Sequence, residues 1–115
     1  MIVLSEIIKQ TGLTVRTPSA DLSKVVTGGY ASDLLSCVMA GAKQGNIWVT
    51  LQGHPNIVAV ASLLSLSAIV VTEDAAIDPQ TLGKAAEEGL AVLSSPQSTW
   101  AVVAALAALG VRAGG

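Results

Sequence analysis

The chain has one histidine, His54, in the stretch Gln52-Gly53-His54-Pro55-Asn56, directly after the apolar run Ile47–Leu51. An imidazole at the junction of a strand and a helix could ligate a metal, act as a general base, or simply open the helix. As a metal ligand it has no partner, because the chain holds no second histidine and a single cysteine, Cys37. As a general base it needs a nucleophile and an orienting acid. Ser36, Ser62, Thr72 and Ser94 offer hydroxyls, and Asp33 and Glu73 offer carboxylates, but no nucleophile-elbow spacing singles out any of them. As a helix start it needs nothing further. Gly53 lets the chain turn, Pro55 presets a helical φ, and His54 or Asn56 sets a polar group beside free N–H donors that an anion could share. The residues thus name no catalytic group, no metal and no cofactor, and they place His54 at the rim of a candidate ligand site.

Three further motifs carry weaker chemistry. Gly28-Gly29-Tyr30-Ala31-Ser32-Asp33 has the outline of a phosphate loop, but neither the dinucleotide spacing nor the lysine of a P-loop, and Asp33 would repel a phosphate. It reads as a tight turn and cap or as a ligand loop. The paired acids of Thr72-Glu73-Asp74 supply too few oxygens for an octahedral cation and read as a solvated turn. Cys37 reads as a small buried hydrophobe.

The elements that must position these residues follow from periodicity. Apolar Leu4, Ile7 and Ile8 predict a helix over 3–10 closed by Gly12, and Leu13–Thr17 alternates as a strand. Pro18–Asp21 is a turn, and Val25–Thr27 reads as a second strand ending at Gly28-Gly29. A helix capped by Ser32 or Asp33 carries Leu34, Leu35, Val38, Met39 and Ala42 on one face, with Gly45 as its C-cap. Then come a strand at Ile47–Leu51, a helix from Pro55 to Leu66 and a strand at Ala68–Val71. A helix from Pro79 to Glu88 ends at Gly89, a strand follows at Ala91–Ser94, and Ser95-Pro96 opens an alanine-rich helix ending at Gly110. Arg112–Gly115 reads as a frayed tail. Alternating strands and helices with consecutive apolar strand positions predict a compact single α/β domain over 1–115, its mainly parallel sheet covered on both faces by crossover helices. The loops after the strands then share one edge, where open α/β sheets place ligands.

Composition narrows the function. The 115 residues are 51% hydrophobic and 12% charged, with net charge −2 and six scattered basic residues, so nucleic-acid binding is not expected. Mean hydropathy is +0.64. The longest apolar stretch, Ile57–Val71, is shorter than the ~20 residues of a membrane span and splits into helix and strand. No signal peptide is apparent, and cysteine usage fits a reducing, cytoplasmic setting. The surplus apolar surface predicts a homodimer burying at least ~1,000 Å².

The order of the Gly53 loop, Ala68-Ile69-Val70-Val71-Thr72, the Pro79 helix, Ala91–Pro96 and Ser98-Thr99 resembles the DRTGG domain, best over 28–109, and is similar to the N-terminal domain of HPr kinase. Gly53, Thr72 and Thr99 match that pattern. Gly53-His54-Pro55 stands where it has Gly-Asp-Arg, Thr72-Glu73-Asp74 where it has Thr-Gly-Gly, and Ser98-Thr99 where it has Asp-Thr. Gly28–Ser36 and His54–Ala61 look like the short, stand-alone branch of the family. The resemblance implies a regulatory or assembly module rather than an enzyme.

The reading that follows is a non-catalytic regulatory module, homodimeric, binding a small anionic or nucleotide-like ligand through Gly28, Gly29, Ser32, Gly53, His54, Asn56, Thr72, Ser95 and Thr99. One alternative is a protein-interaction adaptor without a ligand, which the stand-alone branch links to hydrogenase or redox signalling. Another is a small enzyme using His54 with Asp33 or Glu73.

Overall fold

A computed structural model describes residues 1–114. Four parallel strands make up most of the sheet: β4 (Gly28–Ala31), β5 (Asn46–Thr50), β6 (Ala68–Val71) and β7 (Ala91–Ser94). A short strand β2 (Thr14–Val15) adds antiparallel to β7, giving the order β2-β7-β6-β5-β4. A separate antiparallel ribbon pairs β1 (Ile2–Val3) with β3 (Val25–Val26). Five helices cover the sheet: α1 (Leu4–Thr11), α2 (Leu35–Gly41), α3 (Asn56–Leu64), α4 (Pro79–Glu88) and α5 (Thr99–Ala108).

Side-chain alternation along the strands splits the core in two. Trp48, Ile69, Val71 and Val92 point to one face and pack with Val38 of α2, Ile57, Val58 and Ala61 of α3, and Ala85 of α4. Ile47, Val49, Ala68, Val70, Ala91 and Leu93 point to the other and pack with Leu4 and Ile7 of α1 and with Val102 and Leu106 of α5. Both faces are therefore buried, which is why these strands carry no polar alternation. The α/β architecture matches the expectation.

The crossovers step β4 to β5 to β6 to β7 across one face. The chain then returns through α5 on the opposite face and lays Ala113 parallel to Gly29 at the far edge. The chains leaving β6 and β7 thus diverge to opposite faces, and the crevice between those strand ends is the topological switch point where open sheets bind ligands.

Several boundaries differ from expectation. Gly28-Gly29 is not a turn but the start of β4, because β5 offers a full parallel partner from Asn46 onward. Helix α2 begins at Leu35 with no side-chain cap, since Asp33 is drawn away to β5, and it ends at Gly41. Gly45 has the expected positive φ, +81°, but in the turn into β5 rather than at a helix cap. Helix α5 starts at Thr99, capped by the Ser98 hydroxyl, so Ser95–Gln97 is loop. Arg112–Gly114 docks on β4 instead of fraying, and the part of that expectation falling on Gly115 lies outside the described residues. Cys37 is exposed, because α2 turns Leu35 and Val38, and not Cys37, toward the core. No helix among the described residues is long and apolar enough to cross a membrane.

Candidate functional site

The nine candidate residues fall into four places. Gly28 and Gly29 lie at the beginning of β4, at the opposite end of the sheet from the strand-end loops. Their placement in a ligand loop is corrected by their pairing with Asn46 and Ile47. Ser32, Gly53, His54, Asn56, Thr72, Ser95 and Thr99 do occupy the strand-end edge, in separate groups.

The crevice between β6 and β7 gathers Thr72, Ser95 and Thr99. The Thr72 and Thr99 hydroxyls share a hydrogen bond of 2.7 Å, and the Thr72 hydroxyl also lies 3.4 Å from the Thr50 carbonyl. The Ser95 hydroxyl accepts from the Gln97 N–H at 3.1 Å. Glu73 and Asp74 donate their N–H groups to the carbonyls of Gln97 and Ser95 at 2.8 and 3.1 Å, and Glu73 Oε2 accepts from the Thr99 N–H at 2.8 Å. The free donors and positive dipole end of α5 thus meet a carboxylate from the chain itself. Glu73 and Asp74 hold φ of +61° and +56°, the left-handed region that glycine enters most easily. These are the two positions at which the family pattern has Gly-Gly.

The second group surrounds His54. Its ring is exposed, and Nδ1 accepts from the Asn56 N–H at 3.0 Å. The His54 carbonyl accepts from Ile57 N–H at 3.1 Å. Gly53 is fixed by packing: a Cβ there would overlap the Ala76 carbonyl. Its own carbonyl accepts from the buried Thr81 hydroxyl at 2.6 Å and from the Asp78 N–H at 3.0 Å. A shallow, open depression of about 480 Å³ lies over Gly53, His54, Ala76, Ile77, Asp78 and Pro79.

Ser32 and Asp33 form the third group. The Ser32 hydroxyl accepts from the Leu34 N–H at 3.2 Å. Asp33 Oδ1 accepts from the Thr50 hydroxyl at 2.9 Å and from the Leu51 N–H at 2.7 Å, and Gln52 Nε2 donates to the Asp33 carbonyl at 3.1 Å. Asp33 therefore closes the end of β5, a role that sequence spacing does not reveal because 17 residues separate it from Thr50.

The carboxylates named as possible partners of His54 are thus engaged elsewhere: Asp33 with Thr50 and Leu51, Glu73 with Thr99. The strand-end loops hold Asp33, Glu73, Asp74 and Asp78 and no lysine or arginine, so an incoming anion meets an acidic rim.

The sequence ties the surplus apolar surface to the alanine-rich Thr99–Leu109 helix without marking which residues expose it. Trp100 is 84% exposed and Val103 37% exposed on α5, and Ala104 and Ala107 on the same helical face are also exposed. The signal for that exposure was that α5 has no charged residue at all.

Among curated proteins none matches the sequence. The fold is similar to a crystal structure of the CBS and DRTGG domains of the regulatory region of Clostridium perfringens pyrophosphatase, complexed with its activator diadenosine tetraphosphate. The TM-score is 0.67 at 12% identity over 90% of this chain, which spans 45% of the chain in that structure. The family model for the DRTGG domain matches residues 18–109. With most of its length matched and its Thr72 turn held in the glycine-like conformation, the chain belongs to the DRTGG domain family.

Proposed function

We propose that this domain is a non-catalytic regulatory and assembly module that works as a homodimer through the outer face of α5. The observation that carries this reading is the exposed Trp100, Val103, Ala104 and Ala107 on a helix without charge. A helix apolar all round is normally buried, and this one is covered by its own domain on one side only. An exposed tryptophan with small residues beside it suits a close subunit contact, where aromatic anchors carry much of the binding energy. Dilution tests the proposal by fluorescence. Trp48 is fully buried in the core, so a red shift of emission as concentration falls would report Trp100 returning to water. Emission independent of concentration would remove the dimer and favour an adaptor that offers the same face to another protein.

A second reading places a nucleotide-like ligand at the strand-end edge. It is favoured by the activator bound to the related regulatory region and by the meeting of Thr72, Ser95 and Thr99 at the switch point. The acidic rim makes binding depend on a divalent cation between carboxylate and phosphate. Titration of diadenosine tetraphosphate with and without Mg²⁺, followed by calorimetry, tests it. Absence of heat in both titrations would leave the α5 contact as the module's only function.

A further inference from the structure

The outer edge of β4 is not bare. Segment Val111–Gly114 lies along its first half, with the Arg112 carbonyl accepting from the Gly29 N–H at 2.8 Å and Ala113 bridging Gly29 in parallel. Beneath the segment stands Asn46, a polar side chain with no exposed surface. Its Oδ1 accepts from the Lys43 N–H at 2.9 Å. Its Nδ2 donates to the Thr27 hydroxyl at 3.1 Å and to the Gly114 carbonyl at 2.9 Å. One of the two amide protons of a buried side chain is therefore committed to the segment. Room for the segment comes from Gly28, where a Cβ would overlap the Gly114 carbonyl and sit 2.9 Å from the Arg112 carbonyl. Val111 Cγ1 covers Gly29, 3.3 Å from where its Cβ would be. Gly114 itself has φ +84°, which glycine reaches without strain.

An edge N–H, a buried donor aimed outward and a glycine floor are the parts of a strand-addition site. Main-chain hydrogen bonds give affinity there, and steric room selects sequence. We propose that Gly28, Gly29 and Asn46 form a docking slot for an extended peptide strand that places a glycine over Gly28, and that Val111–Gly114 is its resident occupant. Eviction of that segment opens a parallel edge to the same Val111–Gly114 segment of a second copy of this chain.

The test empties the slot without altering it. Gly114→Pro cannot adopt the required φ, whereas Gly28, Gly29 and Asn46 stay as they are. An N-acetylated peptide of sequence Val-Arg-Ala-Gly-Gly, titrated into the full-length variant, is expected to shift the Gly29 amide and the Asn46 side-chain amide resonances saturably. The dissociation constant should lie at least ~10-fold below the ~mM effective concentration that a short tether gives the native segment, since that ratio keeps the wild-type slot filled. The wild type should show no such shift at the same peptide concentration, and neither should Gly114→Pro carrying Gly28→Ala. Trypsin provides a readout that needs no peptide. Cleavage after Arg112 should be at least ~10-fold faster in Gly114→Pro, and in Gly28→Ala, whose Cβ would overlap the Gly114 carbonyl, than in the wild type, since docking must open before cleavage. No peptide shift in the emptied variant, or equal cleavage rates in all three proteins, would overturn the proposal.

Discussion

The His54 ring accepts one hydrogen bond from the Asn56 N–H and otherwise faces solvent. His54→Ala should keep the fold and lower stability by ~1 kcal/mol or less, the usual loss for a cap, as a urea midpoint would show. A larger effect would mean that the ring holds more than the first turn of α3. Gly45 is more constrained. Its φ is +81°, and a Cβ would sit 2.6 Å from Thr27 Cγ2, so Gly45→Ala combines backbone strain with overlap. The expected loss exceeds ~1 kcal/mol by the same measurement, and a neutral result would contradict the turn. Asp21 reports on pH. The Ser23 hydroxyl and N–H donate to its Oδ1 at 2.6 and 2.9 Å, and the side-chain bond does most to hold its carboxyl below the ordinary range. With the folded value the lower one, the turn's contribution is present at neutral pH and lost as pH falls through that value. A carboxyl titration by NMR should show Asp21 moving upward in Ser23→Ala.

At the scale of elements, the turn after β6 balances two effects. Glu73 and Asp74 bear the cost of left-handed backbone, while the Glu73 carboxylate satisfies the Thr99 N–H at the start of α5. Asp74→Gly removes a cost and no side-chain hydrogen bond seen in the structure, so it should stabilise by up to ~1 kcal/mol. Glu73→Gly gains the same relief but loses the α5 cap, and its midpoint should fall below that of Asp74→Gly. The reverse order would show that Glu73 does not hold α5. Strands β5 to β7 were legible because strands buried on two faces are apolar at every position. Strand β4 was not, because Gly28-Gly29 signals a turn until a partner strand supplies its hydrogen bonds. The strand-end placement of Thr72, Ser95, Thr99 and His54 could be read from the alternation of elements. The hydrogen bonds of Thr72 and Thr99 could not, since these join loops 22 to 27 residues apart. Nor does an all-apolar helix say which of its sides its own domain covers, so the exposure of Trp100 required the structure.

The whole molecule is a sheet closed on both faces, with one edge occupied by its own segment and Trp100 exposed on the uncharged outer face of α5. On that arrangement rests the proposal of a regulatory module assembled through α5. Light scattering at micromolar concentration measures it most directly. The wild type should show twice its 11.6 kDa mass. Trp100→Asp should show the single mass at the same concentration with an unchanged circular dichroism spectrum, because the side chain is 84% exposed and supports no core. A wild type that stays at 11.6 kDa at every concentration reached, or a Trp100→Asp variant that remains dimeric, would contradict the account.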